Sequence, residues 1–174
     1  MPIIILEGAD GSGKTTLAQE LRKDLGVYTW LTSSNSKPTE STQIEEVTRW
    51  INSTPPSIVN IVDRHPLISE YVYGLVLRKN VRHDLSFREM ALEIGFIQPT
   101  LLIHCHVNWP AQSINLNNTE QMPGVAENIQ RLRRSYVIVM DSLAENGLEH
   151  IDYNYEQPGN IMDTINRFIR SNLI

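Results

Sequence analysis

The feature that most constrains this chain is a glycine-rich turn set between a strand-forming run and a helix-forming one. Ile3–Leu6 is a short β-branched run that ends in Glu7-Gly8, the pattern of a fully buried strand. Gly8-Ala9-Asp10-Gly11-Ser12-Gly13-Lys14-Thr15 then fits the spacing G-x-x-x-x-G-K-[ST] in full. Leu17, Ala18, Leu21 and Leu25 follow at helical spacing, with Gly26 where a C-cap belongs. Glycines let successive backbone N–H groups turn inward toward an anion, and the helix opening near Lys14 aims its positive end at the same point. Strand, turn and helix in this order make a phosphate-binding loop, a P-loop.

The loop assigns roles to its residues. Gly8, Asp10, Gly11, Ser12, Gly13, Lys14, Thr15 and Thr16 are the candidate contacts to ATP phosphates. Lys14 is placed to bridge the β- and γ-phosphates, and the Thr15 hydroxyl to hold Mg²⁺.

The remaining pattern extends the same architecture. Val27–Leu31, Ser57–Val62, Thr100–Val107 and His150–Tyr153 read as further strands. Helical spacing covers Ile44–Ile51, Leu67–Lys79, Phe87–Phe96, Val125–Asn146 and Asn160–Ser171. Alternating strands and helices predict one α/β domain over residues 1–174, a three-layer α/β/α P-loop NTPase fold with a parallel sheet of about five strands. Thr32–Thr42, rich in Ser, Thr, Asn and Pro, is expected to be a flexible loop. The polar stretch Ala111–Gly124, inside a lid-like segment of about 108–125, is expected to be mobile.

Asp63 ends the apolar run Ile58–Val62, where a metal-binding carboxylate should stand, since ligands bind outside the carboxyl ends of parallel strands. With Glu7 and Asp10 it could face one crevice, and Thr15 and Asp63 form the candidate metal pair. Arg64 follows directly, and its planar fork suits an incoming phosphate. Lys14, Asp63, Arg64 and Asp10 are the candidate catalytic residues. No Asn-Lys-x-Asp base-reading pattern of a GTPase occurs.

Composition narrows the function. A net charge of −5 disfavours a general nucleic-acid binder. One cysteine, Cys105, allows no intramolecular disulfide and no Cys-based zinc site, and its apolar surroundings suit a small buried hydrophobe. Glu7 interrupts the N-terminal apolar run at once, so neither a signal peptide nor a membrane span is expected and the cytoplasm is the expected compartment.

These residues resemble a known family. Glu7-Gly8-Ala9-Asp10-Gly11-Ser12-Gly13-Lys14-Thr15-Thr16 is similar to the P-loop of thymidylate kinases, Asp63-Arg64-His65 to their Asp-Arg signature, and Pro99-Thr-Leu-Leu-Ile-His to the strand that follows. Leu67-Ile-Ser-Glu-Tyr-Val-Tyr-Gly resembles compact phage-encoded members. The resemblance implies transfer of the ATP γ-phosphate to a thymidylate-like deoxynucleoside monophosphate, with Mg²⁺, in a homodimer. It implies that Asp10 contacts the acceptor sugar or a metal-bound water, and that Arg64 holds the acceptor phosphate. Ser69, Tyr71 and Tyr73 are candidates for the acceptor pocket, and the Tyr153–Gly159 loop for a wall of the adenine pocket.

The chain departs from that family in its catalytic arginine. Gly11 follows Asp10, and 115–124 holds no basic residue, which leaves Arg131, Arg133 and Arg134 to compensate the transferring group. The same departure motivates an alternative acceptor, the hydroxyl of 5-hydroxymethyluracil in DNA. Asp63 would then be the base, Arg64 would contact the DNA backbone, the Val81-Arg82-His83 and Arg131–Arg134 clusters would supply local positive charge, and Trp30, Trp50 or Trp109 would stack a splayed base unless they are core.

Overall fold

A computed structural model describes residues 2–25, 28–31, 40–53, 55, 58–81, 83–96, 98–117 and 122–172. Five parallel strands form the sheet: β1 (Ile3–Glu7), β2 (Tyr28–Leu31), β3 (Asn60–Asp63), β4 (Thr100–His106) and β5 (Glu149–Asn154), in the order β2-β3-β1-β4-β5. The helices are α1 (Lys14–Leu25), α2 (Glu40–Ser53), α3 (Pro66–Tyr73), α4 (Phe87–Gly95), α5 (Trp109–Asn117), α6 (Val125–Glu145) and α7 (Ile161–Asn172).

β1 is central because it is apolar on both sides. Ile3 and Ile5 join the core under α2, α3, α4 and α6, while Ile4 and Leu6 join a second core with Leu17, Leu21, Phe168 and Ile169 from α1 and α7. Alternate residues of a strand point to opposite faces, so one short run serves both layers. The three-layer architecture expected from the alternation is the one observed. Register places Leu6 beside Asp63 and Glu7 beside His104, which gathers the polar strand ends at one edge of the sheet.

Several boundaries differ from the sequence expectation. The helix expected over Leu67–Lys79 is α3, capped by His65 Nδ1 accepting from Leu67 N, followed by a π-helical turn at Gly74–Arg78. Buried Glu70 pairs with Arg78 across that turn, and Lys79 ends it in the left-handed region at φ 56°. The helix expected at Ile44–Ile51 runs from Glu40 to Ser53, so the expected loop Thr32–Thr42 ends inside it; 32–39 lie outside the described residues, as do Gly26 and Arg82.

The largest correction concerns the polar stretch before α6. Trp109–Asn117, which covers the first part of that stretch, is the helix α5, and 118–121 lie outside the described residues. It lacks a strong apolar stripe because polar side chains fasten it. Gln112 Nε2 donates to Asp10 O at 2.7 Å and Asn115 Nδ2 to Gly11 O at 2.9 Å. Trp109 is exposed rather than core, and Trp50 packs half-buried against the α3/α6 side. The side chain of Trp30 lies outside the described residues.

Candidate active site

The cradle forms where β1 passes into α1. Gly8, Gly11 and Gly13 adopt φ of 142°, 74° and 87°, and Ser12 N donates to Ala9 O to tighten the turn. A Cβ on Gly8 would stand 2.1 Å from the carbonyl oxygen of Cys105, and one on Gly13 would strike the ring of Tyr155. Only glycine fits either place. Lys14 lies over the loop, its ammonium donating to Gly8 O at 2.8 Å, Ala9 O at 3.0 Å and Ser12 Oγ at 3.3 Å. Burial, with the Arg64 charge, pulls the pKa of Lys14 down to about 8, and Asp10 and Asp63 oppose the shift.

The candidate metal pair is assembled. Thr15 Oγ1 donates to Asp63 Oδ2 at 3.1 Å, which joins the first turn of α1 to the end of β3. Both offer hard oxygens, the donors Mg²⁺ takes. Glu7 stands on the same sheet edge, fully buried. Its Oε1 accepts from His65 N at 2.5 Å, and its Oε2 has no hydrogen-bond partner. Burial raises the Glu7 carboxyl to about 7, against the pull of Arg64 and Lys14. A buried carboxylate oxygen beside such a pair suits a hydrated cation. Thr15, Asp63 and Glu7 therefore fit Mg²⁺.

Arg64 opens the second half of the site. Its backbone is left-handed at φ 72°, a conformation that costs a β-carbon residue about 1–3 kcal/mol and persists only where neighbours enforce it. Enforcement comes from Arg64 N donating to Leu6 O at 3.0 Å, and from the side chain. Nη2 donates to Asp10 Oδ1 at 2.5 Å, and Nη1 to the hydroxyls of Tyr73 at 2.6 Å and Tyr136 at 3.4 Å. Tyr73 in turn donates to Asp10 Oδ2 at 2.6 Å. Burial alone would raise the Asp10 carboxyl, but Arg64, Lys14 and the Tyr73 hydrogen bond hold it below its ordinary value. Burial pushes both phenols upward, so they stay neutral.

Of the acceptor-pocket candidates, Tyr73 joins this cluster. Tyr71 packs on Phe87 and His83 instead, and the Ser69 hydroxyl is buried without a hydrogen-bond partner. Of the three arginines, Arg131 bonds Asn128 on the exposed face of α6 and Arg134 is exposed, while Arg133 Nη2 donates to Val107 O at 2.9 Å. Within the expected adenine wall, Tyr155 covers Gly13 and its hydroxyl accepts from Asn115 Nδ2 at 3.0 Å, whereas Tyr153 is core. Cys105 is buried, and burial pushes its thiol up to about 12, which keeps it inert. Sequence reasoning missed Tyr136, Gln112 and Asn115. Only the polar density of 111–118 signalled the last two.

Fold and cradle together define a P-loop α/β fold with a parallel sheet. No family model matches the chain. It is similar to the "Putative thymidylate kinase" of Acidianus bottle-shaped virus (isolate Italy/Pozzuoli), 24% identical over 153 residues, 86% of this chain and 92% of that protein. Among solved structures, YorR of Bacillus subtilis, in complex with phosphorylated GDP, superposes with a TM-score of 0.70 at 21% identity, over 97% of this chain and 95% of that one. Deoxyadenosine kinase from M. mycoides, with dCMP and dCDP bound, gives 0.67 at 16% identity, over 96% and 100% of the two chains. Thymidylate kinase from Candida albicans gives 0.64 at 15%, over 98% and 91%. Among the described residues no helix is long and apolar enough to cross a membrane.

Proposed function

We propose that this chain is an ATP-dependent kinase that moves the γ-phosphoryl group to the 5′-phosphate of a deoxynucleoside monophosphate, thymidylate first among them. The observation that carries the reading is the position of Arg64. A left-handed backbone and two neutral phenols hold its guanidinium beside the cradle, where an incoming phosphate needs a fork-shaped cation. The two proteins named above that are called thymidylate kinases support the same acceptor class.

The chemistry follows from placement. An acceptor phosphate oxygen attacks the γ-phosphorus, the bond to the β-bridging oxygen breaks, and ADP leaves with that electron pair. Such an acceptor is already anionic, so no protein base and no covalent intermediate are required. Loop N–H groups and Lys14 bind the phosphates of ATP, and Lys14 offsets charge that builds on the leaving oxygen. Arg64 orients the acceptor phosphate, and Asp10 fixes Arg64 and offers a carboxylate to the sugar. Thr15 and Asp63 would hold Mg²⁺, which when bound supplies charge neutralisation between the β- and γ-phosphates.

The test is transfer of label from γ-labelled ATP, with Mg²⁺, to dTMP or to hydroxymethyluracil-containing DNA in parallel reactions. Label in dTDP supports the reading. Label retained on DNA overturns it and makes Asp63 the base for a hydroxyl acceptor.

A further inference from the structure

The β4–β5 end of the sheet carries a polar constellation to which the proposed phosphoryl transfer gives no role. β4 and β5 run parallel with Leu102 opposite His150, His104 opposite Asp152 and His106 opposite Asn154, so all six side chains share one sheet face. Elsewhere that face is paved with Ile3, Ile5 and Val62 under the helices. Here it holds three imidazoles and a carboxylate, with the His104 ring stacked on Tyr136 of α6.

Polar groups against a core cost stability unless they are satisfied. His104 Nδ1 and Asp152 Oδ1 are 2.9 Å apart. His150 Nε2 is different: it is buried, has no hydrogen-bond partner, and stands 3.8 Å from the same Asp152 oxygen. Ligand atoms of the three residues lie within 4.8 Å of one another, the one such group among the described residues. Ligands of a tetrahedral ion at bond lengths of ~2.0–2.1 Å stand roughly 3.3 Å apart, and the separations of 2.9 and 3.8 Å bracket that value.

We propose that His104, His150 and Asp152 bind a first-row transition-metal ion, Zn²⁺ by the character of its donors. Two imidazoles and one carboxylate suit Zn²⁺, Co²⁺ or Ni²⁺, whereas Mg²⁺ takes oxygen-rich sites such as the Thr15–Asp63 pair. Asp152 is 61% exposed, which leaves its carboxylate free to swing onto the ion. Beside the three lies a cavity of about 270 Å³, lined by His104, Asp152, Ala9, Ser12 and Arg133 among others, which gives a fourth ligand position access to solvent. An ion there would tie edge strand β5 to β4. It would thereby steady Tyr155, just beyond β5, against Gly13 of the cradle.

The experiment is a titration of tag-free, metal-stripped full chain with Co²⁺, followed by visible absorption and then by Zn²⁺ displacement. One Co²⁺ per chain with the bands of a tetrahedral site is expected, together with a rise in Tm on adding Zn²⁺. His150→Ala and Asp152→Asn should each weaken binding by at least about tenfold and abolish the rise in Tm. His83→Ala, at a histidine that packs on Tyr71 of α3 instead, should leave Co²⁺ binding unchanged. Asp152→Asn alters an exposed side chain and keeps the test valid if His150→Ala fails to fold. Absence of the bands, or a titration that Asp152→Asn leaves unchanged, overturns the site.

Discussion

Arg64 and Asp10 meet at 2.5 Å, and the hydroxyl of Tyr73 closes the triangle by bonding both. Asp10 belongs to the cradle and Arg64 to the end of β3, so this pair couples the ATP loop to the proposed acceptor site. A lysine would keep the charge but lose the fork that bonds two partners at once. Arg64→Lys should therefore lower kcat/KM for the acceptor by roughly 10²-fold or more and move the KM for ATP little. Steady-state kinetics with each substrate varied in turn checks this. Equal losses for both substrates would show that Arg64 serves the cradle rather than the acceptor.

Gly8 and Gly147 separate two costs that are often confounded. Both have positive φ, at 142° and 97°, but a Cβ on Gly147 would meet nothing within 4 Å. Gly147→Ala should cost about 1–2 kcal/mol, the backbone term alone. Gly8→Ala adds a collision with the Cys105 carbonyl, which belongs to the β4 backbone and cannot turn aside. Its loss should be well above that of Gly147→Ala by urea denaturation, with ATP binding lost. Equal destabilisation of the two variants would mean that the cradle yields to the extra carbon.

What the sequence discloses and what it hides divide along contact order. The cradle is local: Gly8, Gly13, Lys14 and Thr15 are placed by spacing that a single turn imposes. Asp63 is legible because a strand end in a parallel sheet is a ligand position. Tyr136 bonds Arg64 from 72 residues away, and no local pattern marks it apart from any other aromatic on an amphipathic helix. α5 was hidden for another reason. Hydrophobic periodicity finds helices that bury an apolar stripe, whereas α5 is attached by Gln112 and Asn115 to backbone carbonyls of the cradle.

That attachment has a kinetic consequence. Asn115 Nδ2 bonds both Gly11 O and the Tyr155 hydroxyl, so it joins α5 to the cradle and to the ring that covers Gly13. Asn115→Ala should cost about 1 kcal/mol of stability and raise the KM for ATP by roughly 3- to 10-fold, leaving kcat at saturation nearly unchanged. A fall in kcat with an unchanged KM would place Asn115 at the transferring phosphoryl group instead.

Glu7 and His65 set opposing pH dependences on stability. Glu7 titrates at about 7 in the fold against an ordinary 4.5, so the folded chain keeps a proton that the unfolded chain has lost. Its contribution is full below 4.5 and is lost as pH rises through 7. Burial lowers His65 to about 4 from 6.5, so its contribution is full above 6.5 and is lost as pH falls through 4. Between 4.5 and 6.5 the two slopes oppose, each bounded by about 1.4 kcal/mol per pH unit. Glu7→Gln should leave stability rising more steeply with pH across this window than in the unsubstituted chain. His65→Asn, which keeps a side-chain acceptor at the N-cap of α3, should make stability rise less or fall. Other titrating groups are common to all three proteins and cancel in the differences, so urea midpoints at pH 5 and 6.5 suffice. If both variants keep the parent slope, Glu7 is ionised and His65 titrates normally in the fold. The buried Glu7 Oε2 would then be a full negative charge beside Thr15 and Asp63, and the affinity for Mg²⁺ should fall sharply in Glu7→Gln.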